Sequence, residues 1–285
     1  SLIVFLLLLS IVSFSKAEAV PIVIFHGFGG KCDHKLANYL GQELNVYSIC
    51  VEPSLDPEEG PEYSITTPII DQGQSACDLI NENPNYQGEF DLIGFSQGTI
   101  ISRFIIQNCN LVGKVRHFIS FGGPLNGQSS QECAWYNAYC TSKRWIDNNK
   151  IFTDELQHTY APASYWRDPY HFSKYLKQSA WLADANNERS FSEDRRQRFL
   201  NLNKCLFIKW DAETTISPPE SSWWGQFDEH YNVISRFDTE VYQKDLIGIK
   251  TLEDEGRATF IHIPGKHMEY TFDQIDEIII PFLIN

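Results

Sequence analysis

The run FDLIGFSQGTIISRFIIQN, residues 90–108, decides how this chain is read. Its first five residues, FDLIG, form a short apolar strand, and its last ten, TIISRFIIQN, have the apolar spacing of a helix. At the junction stands Gly94-Phe95-Ser96-Gln97-Gly98, a G-x-S-x-G. In that context a sharp turn lifts the serine hydroxyl above the sheet, while the two glycines let strand and helix approach closely. A bare G-x-S-x-G arises often by chance. The strand before it and the helix after it mark Ser96 as a candidate nucleophile rather than a turn serine.

Similar apolar runs lie on either side. Residues 20–25 (VPIVIF), 46–51 (VYSICV), 117–121 (HFISF), 205–210 (CLFIKW) and 259–263 (TFIHI) read as further strands. Residues 69–81 and 272–283 read as helices. Near-continuous apolar strands alternating with helices predict a doubly wound, mostly parallel sheet covered on both faces. With a G-x-S-x-G turn this is the α/β-hydrolase class, as a single domain over residues 20–285. The spacing breaks between Phe121 and Cys205. An insert of about residues 122–201, rich in aromatics such as Trp135, Tyr136, Trp145, Tyr165, Trp166 and Trp181, is too long for one crossover. It is read as a helical cap over the pocket, since ligands of open α/β sheets sit beyond the strands' carboxyl ends.

A serine nucleophile needs an oxyanion hole, a base and an acid. His26-Gly27-Phe28-Gly29-Gly30 follows the first strand, and a glycine-rich loop there can aim a backbone N–H at a developing oxyanion. The expected donors are the amides of Phe28 and of Gln97, the residue after the nucleophile. His26, at a strand end before a glycine turn, is expected to shape that loop by hydrogen bonding. The base should follow the final strand, where His267 stands in Gly265-Lys266-His267-Met268. The chain order serine, acid, histidine then calls for a carboxylate between them, and the loop after CLFIKW offers Asp211 and Glu213. His117 and His262 fall inside expected strands and read as core or satisfied polar groups. His34, His158, His171 and His230 have no motif around them.

The bulk numbers set limits. A formal charge of −14 and a pI near 5.0 argue against a nucleic-acid binder, which would want a basic face for phosphates. No C-x-x-C occurs, so zinc-ribbon and thioredoxin readings have no support, and hydrolysis by a serine, a histidine and an acid needs neither a metal nor an organic cofactor. The apolar run 2–12 followed by Ser15, Lys16, Ala17, Glu18 and Ala19 reads as a signal peptide over residues 1–19, cleaved after Ala17 or Ala19. It begins with Ser and lacks a basic n-region, as a truncated leader would. The run is shorter than the roughly 20 apolar residues of a membrane span. No N-x-S/T sequon is present.

Several of these pieces together resemble the palmitoyl-protein thioesterase family, from about residue 20 to residue 283. The matching stretches are FHGFGGKC (25–32), GFSQG (94–98), ISFGGPLNG (119–127), YWRDPYHFSKYLKQSAWLADANNER (165–189), SSWWG (221–225) with Phe227 after it, and GKHMEY (265–270) ahead of IIPFL. The stretch ending in LADANNER is the most specific, because it lies outside the generic hydrolase fold. The resemblance implies removal of long fatty acyl groups from cysteine thioesters. Ser96 would then be the nucleophile, His267 the base, and Phe28 and Gln97 the oxyanion donors. Counting back from Trp223, the family's catalytic aspartate falls on Glu213, which favours it over Asp211. The partners implied are S-acylated proteins or peptides and acyl thioesters, with transient contact at a membrane surface. The compartment implied is the secretory pathway, in the lysosome or outside the cell. An oxygen-ester lipase or carboxylesterase would use the same core motifs, and an inactive lipid-binding protein is a third reading.

Seven cysteines suit an exported chain. Cys77–Cys109 would join two neighbouring helices, and Cys32–Cys50 would join residues near strand ends. Cys133–Cys140 is implied by the match to the family. Cys205, opening a buried strand, is left as the free thiol.

Overall fold

A computed structural model describes residues 18–54, 56, 58–129 and 150–284. The strands are β1 (Ile22–Phe25), β2 (Ser48–Cys50), β3 (Glu89–Phe95), β4 (Lys114–Phe121), β5 (Lys204–Trp210), the short pair β6 (Gln226–Phe227) and β7 (Val233–Ile234), and β8 (Ala258–Ile263). Six of them form one sheet in the order β2-β1-β3-β4-β5-β8, with every neighbouring pair parallel. All six expected strands are present.

The sheet's two faces explain the unbroken apolar runs. Side chains alternate along a strand, so Val23, Phe25, Phe90, Leu92, Phe118 and Phe207 face one layer of helices. Ile22, Ile24, Ile93, Phe95, Ile119, Phe121, Leu206 and Ile208 face the other. The first layer holds α3 (Ile69–Glu82) and α4 (Gln97–Asn108). The second holds α1 (His34–Leu44), through Leu36, Ala37 and Leu40, and the C-terminal helical segment, through Ile275, Ile279 and Leu283. That segment is the expected helix 272–283, with a π-helical turn at Ile275–Ile279. Reading the sequence missed α1 and the one-sided α2 (Gly60–Thr66). Asp33 caps α1 by accepting from the Lys35 amide, and Asn45 ends it in the left-handed conformation.

The strand order reverses between β1 and β3, and the ligand crevice of such a sheet lies at that switch point. His26–Gly30 leaves the end of β1 there, and Ser96 leaves the end of β3.

The connection from β4 to β5 spans residues 122–203, of which 122–129 and 150–203 are described. Its front part, with helices Asp154–Thr159 and Ala161–Ser164, meets α3 where the Ile69 amide donates to Ser164 Oγ at 3.1 Å. Its later part runs down α4. Phe199 of helix Glu193–Leu200 packs edge-on against Phe118. Arg103, fully buried in α4, donates to the carbonyls of Leu125 (2.6 Å) and Ala185 (2.8 Å), to Asn186 Oδ1 (2.8 Å) and to Gln107 Oε1 (2.9 Å). Two of those acceptors belong to LADANNER, so this signature stretch ties the long connection to the helix that begins at Ser96.

Among the described residues two disulfides are formed, Cys32–Cys50 and Cys77–Cys109, while Cys205 is a buried free thiol. Burial pushes the Cys205 thiol well above its ordinary value. Cys133 and Cys140 lie outside the described residues, as does the 1–17 part of the expected leader. Cys109 caps the C-terminus of α4 and Cys77 lies within α3, so their bond clamps the two helices on one face of the sheet. Replacing both with Ala should lower unfolding stability by about 2–4 kcal/mol. Chemical denaturation of the purified chain checks this, and a change under about 0.5 kcal/mol would mean that the clamp is idle.

Among the described residues, no helix is long and apolar enough to cross a membrane.

Candidate active site

Ser96 joins β3 to α4 with φ 51° and ψ −120°, a backbone conformation that costs energy for any residue with a side chain. The turn is held from both sides. The Ser96 amide continues the strand ladder by donating to the Phe121 carbonyl at 2.8 Å. A Cβ at Gly98 would fall 2.3 Å from the Phe25 carbonyl oxygen, so only glycine lets α4 start this close to β1. The helix therefore begins two residues before the apolar periodicity shows it.

The hydroxyl does not stand alone. Ser96 Oγ lies 2.9 Å from His267 Nε2, and His267 Nδ1 lies 2.7 Å from Glu213 Oε2. An ionised carboxylate only accepts, so Nδ1 carries a hydrogen and Nε2 is left to accept from the serine. The other Glu213 oxygen accepts from the amides of Thr215 (2.7 Å) and Ile216 (3.0 Å), which fixes the carboxylate in the turn after β5. Burial pushes the Glu213 carboxyl up. The hydrogen bonds from His267 and the two amides, with the histidine's charge, outweigh it and hold the group below the usual carboxylate range. Its contribution to stability is present above the ordinary carboxylate value and is lost as pH falls through the lowered one. Trp210, wholly buried, stands edge-on to the His267 ring at 5.3 Å.

Asp211 is elsewhere. It hydrogen-bonds His262 Nδ1 at 2.7 Å on the solvent side of β8. His262, expected in the core or satisfied, is satisfied but exposed, because β8 is a sheet edge.

The glycine loop after β1 runs against the serine, and a Cβ on Gly27 would lie 3.0 Å from Ser96 Cβ. Gln97 opens the first turn of α4. Its side chain donates to the Ser64 carbonyl at 2.7 Å and accepts from Tyr165 Oη at 2.9 Å. Ser64 Oγ also accepts from the Gly29 amide at 2.9 Å, so α2 braces both segments beside Ser96. Phe28 stands edge-on to Tyr160, 6.2 Å between centroids, which brings an aromatic side chain of the long connection to the mouth of the site. Reading the sequence names Tyr165 only among the aromatics of the insert and in the family-matching stretch, and it misses Ser64 and Trp210, neither of which carries a local signal. Among the described residues no cluster of His, Cys, Asp or Glu is suited to hold a metal ion.

The parallel sheet, the serine turn at its switch point and the histidine after its last strand define an α/β-hydrolase. In keeping with this, a lipase of Bacillus licheniformis has a similar fold, with TM-score 0.50, 15% identity, and 94% of this chain and 93% of that one covered. Within that class the chain belongs to the palmitoyl protein thioesterase family, whose model matches residues 21–267. It is 28% identical to palmitoyl-protein thioesterase 1 of Caenorhabditis elegans, covering 93% of this chain and 94% of that protein. Lysosomal thioesterase PPT2-B of Xenopus laevis is 29% identical, covering 86% and 85%. The chain is thus a hydrolase of the thioesterase and esterase kind.

Proposed function

We propose that the chain removes long-chain fatty acyl groups, of the palmitoyl type, from cysteine thioesters of lipid-modified proteins. What carries this reading is the hydrogen-bond chain Ser96–His267–Glu213 in a member of a thioesterase family. His267 takes the proton of Ser96 as its oxygen attacks the thioester carbonyl. Glu213 keeps the imidazole in the required tautomer and stabilises its charged form. The amides of Phe28 and Gln97 receive the oxyanion. As the C–S bond breaks, the departing thiolate takes that proton from His267 and leaves as the free thiol, and the neutral His267 then activates water to release the acid from the acyl-enzyme. Disulfides and relatives named as lysosomal thioesterases support a place in the secretory pathway, in the lysosome or outside the cell.

The test has two parts. A fluorophosphonate probe should label Ser96, and an unlabelled protein would instead be a lipid carrier. Hydrolysis of a palmitoyl thioester should then exceed that of the matching oxyester. The reverse order would make the protein an oxygen-ester lipase.

The acyl tail should run along the wall that Phe28 and Tyr160 begin. Each buried methylene contributes about 0.8 kcal/mol, up to about fourfold in kcat/KM. Activity should therefore climb from C4 to C16 thioesters, and a preference for the short end would rule out a long groove.

A further inference from the structure

The glycine loop is gripped from behind by a second carboxylate–histidine pair. His26 is buried, and its ring spans two acceptors: Nδ1 lies 2.8 Å from the Gly27 carbonyl oxygen and Nε2 lies 2.8 Å from Glu52 Oε1. A carbonyl oxygen can only accept, so Nδ1 carries the hydrogen of the first bond, and Nε2 shares a proton with the carboxylate in the second. The Gly30 amide donates to the same Gly27 oxygen at 3.1 Å. The peptide unit gripped in this way carries its N–H on Phe28. A trans peptide is planar, with N–H and C=O pointing oppositely, so two donors on the oxygen fix the direction of the Phe28 N–H. They also polarise it, as chained hydrogen bonds do.

Glu52 is itself confined. A Cβ at Gly60 would come 2.5 Å from its carboxylate, so the first residue of α2 is packed directly on it. A buried carboxylate–histidine contact of this kind adds little net stability over an apolar pair, so stability alone does not account for it. We propose that Glu52 and His26 are positioning residues, which together aim and charge the Gly27–Phe28 peptide as a donor to the oxyanion formed at Ser96. This rests on the catalytic reading above.

The test compares the mature chain with His26→Ala, His26→Asn and Glu52→Gln, using kcat and KM for a palmitoyl thioester and inhibition by a long-chain acyl trifluoromethyl ketone. That ketone adds a serine oxygen and presents a tetrahedral oxyanion. Deleting an oxyanion donor outright costs about a hundredfold to a thousandfold in kcat. A donor present but badly aimed should cost less, so His26→Ala should lose about tenfold to a hundredfold in kcat. Its KM should stay within about twofold, and ketone inhibition should weaken in proportion to kcat. His26→Asn can set an amide nitrogen where Nδ1 stands and should recover to within about fivefold of the parent, with Glu52→Gln falling between. If His26→Ala does not fold, Glu52→Gln decides: it must lose kcat and ketone affinity in step. Variants that melt lower but keep parental kcat and ketone inhibition, or that lose only in KM, overturn the proposal. Fluorophosphonate labelling separates the two failures. An unlabelled parent defeats the catalytic reading, whereas a labelled parent with unaffected variants defeats this proposal alone.

Discussion

Ser96→Ala should abolish turnover, lowering kcat by about a million-fold, while leaving the melting transition in place. The hydroxyl makes one hydrogen bond to a side chain, to His267, and the strained turn is held by the Phe121 carbonyl and by Gly98 rather than by the hydroxyl. Its removal therefore subtracts the attacking atom with little structural consequence. His267→Ala should cost about as much, because in the proposed mechanism the two act as one unit and their losses do not add. Single-turnover hydrolysis of a palmitoyl thioester measures both. A Ser96→Ala protein that kept about a tenth of parental activity would mean that another group attacks the carbonyl.

Glu213→Gln should lower kcat by about ten-thousand-fold. Glutamine can still occupy the pocket and accept from the Thr215 and Ile216 amides, but it offers no charge and can present an N–H where His267 Nδ1 needs an acceptor. The imidazole then sits in the wrong tautomer, with the wrong nitrogen towards Ser96. Asp211→Asn is the matched control. It removes a charge two residues away whose hydrogen-bonded partner is His262, and activity should stay within about threefold of the parent. If Asp211→Asn proved crippling and Glu213→Gln mild, the acid would have to be reassigned and the turn after β5 redrawn.

Much of this molecule is legible in its sequence. All six strands of the sheet could be read because a parallel sheet covered on both faces requires continuous apolar runs, such as IVIF in β1 and CLFIKW in β5. The serine turn announced itself through its glycines and its flanking elements. The short helices between residues 154 and 185 could not be read, because four to seven residues do not reveal a helical period. Helix α1 was lost for a related reason: in HKLANYLGQEL only Leu36, Ala37 and Leu40 are buried, too sparse a stripe to stand out. The choice between Asp211 and Glu213 leaned on the family's spacing rather than on the loop itself. Two carboxylates two residues apart look alike in sequence, and their directions are set by how the chain turns after β5, where the amides of Thr215 and Ile216 draw Glu213 inward. Nothing local links His26 to Glu52, 26 residues away, so that pair became visible only in three dimensions.

The buried guanidinium of Arg103 has a consequence for how substrate can enter. Three of its hydrogen bonds run from α4 to the chain at residues 125, 185 and 186, and Trp181 and Trp224 lie close to the cation. Lifting residues 125, 185 and 186 off α4 would leave a buried guanidinium without those acceptors, and a buried group left unsatisfied costs about 1–3 kcal/mol, more when it is charged. The rear of that connection is therefore a bolted hinge plate. Among the described residues of the connection, opening should therefore fall at the front, around the helices Asp154–Thr159 and Ala161–Ser164, while the rear stays on the helix that Ser96 begins.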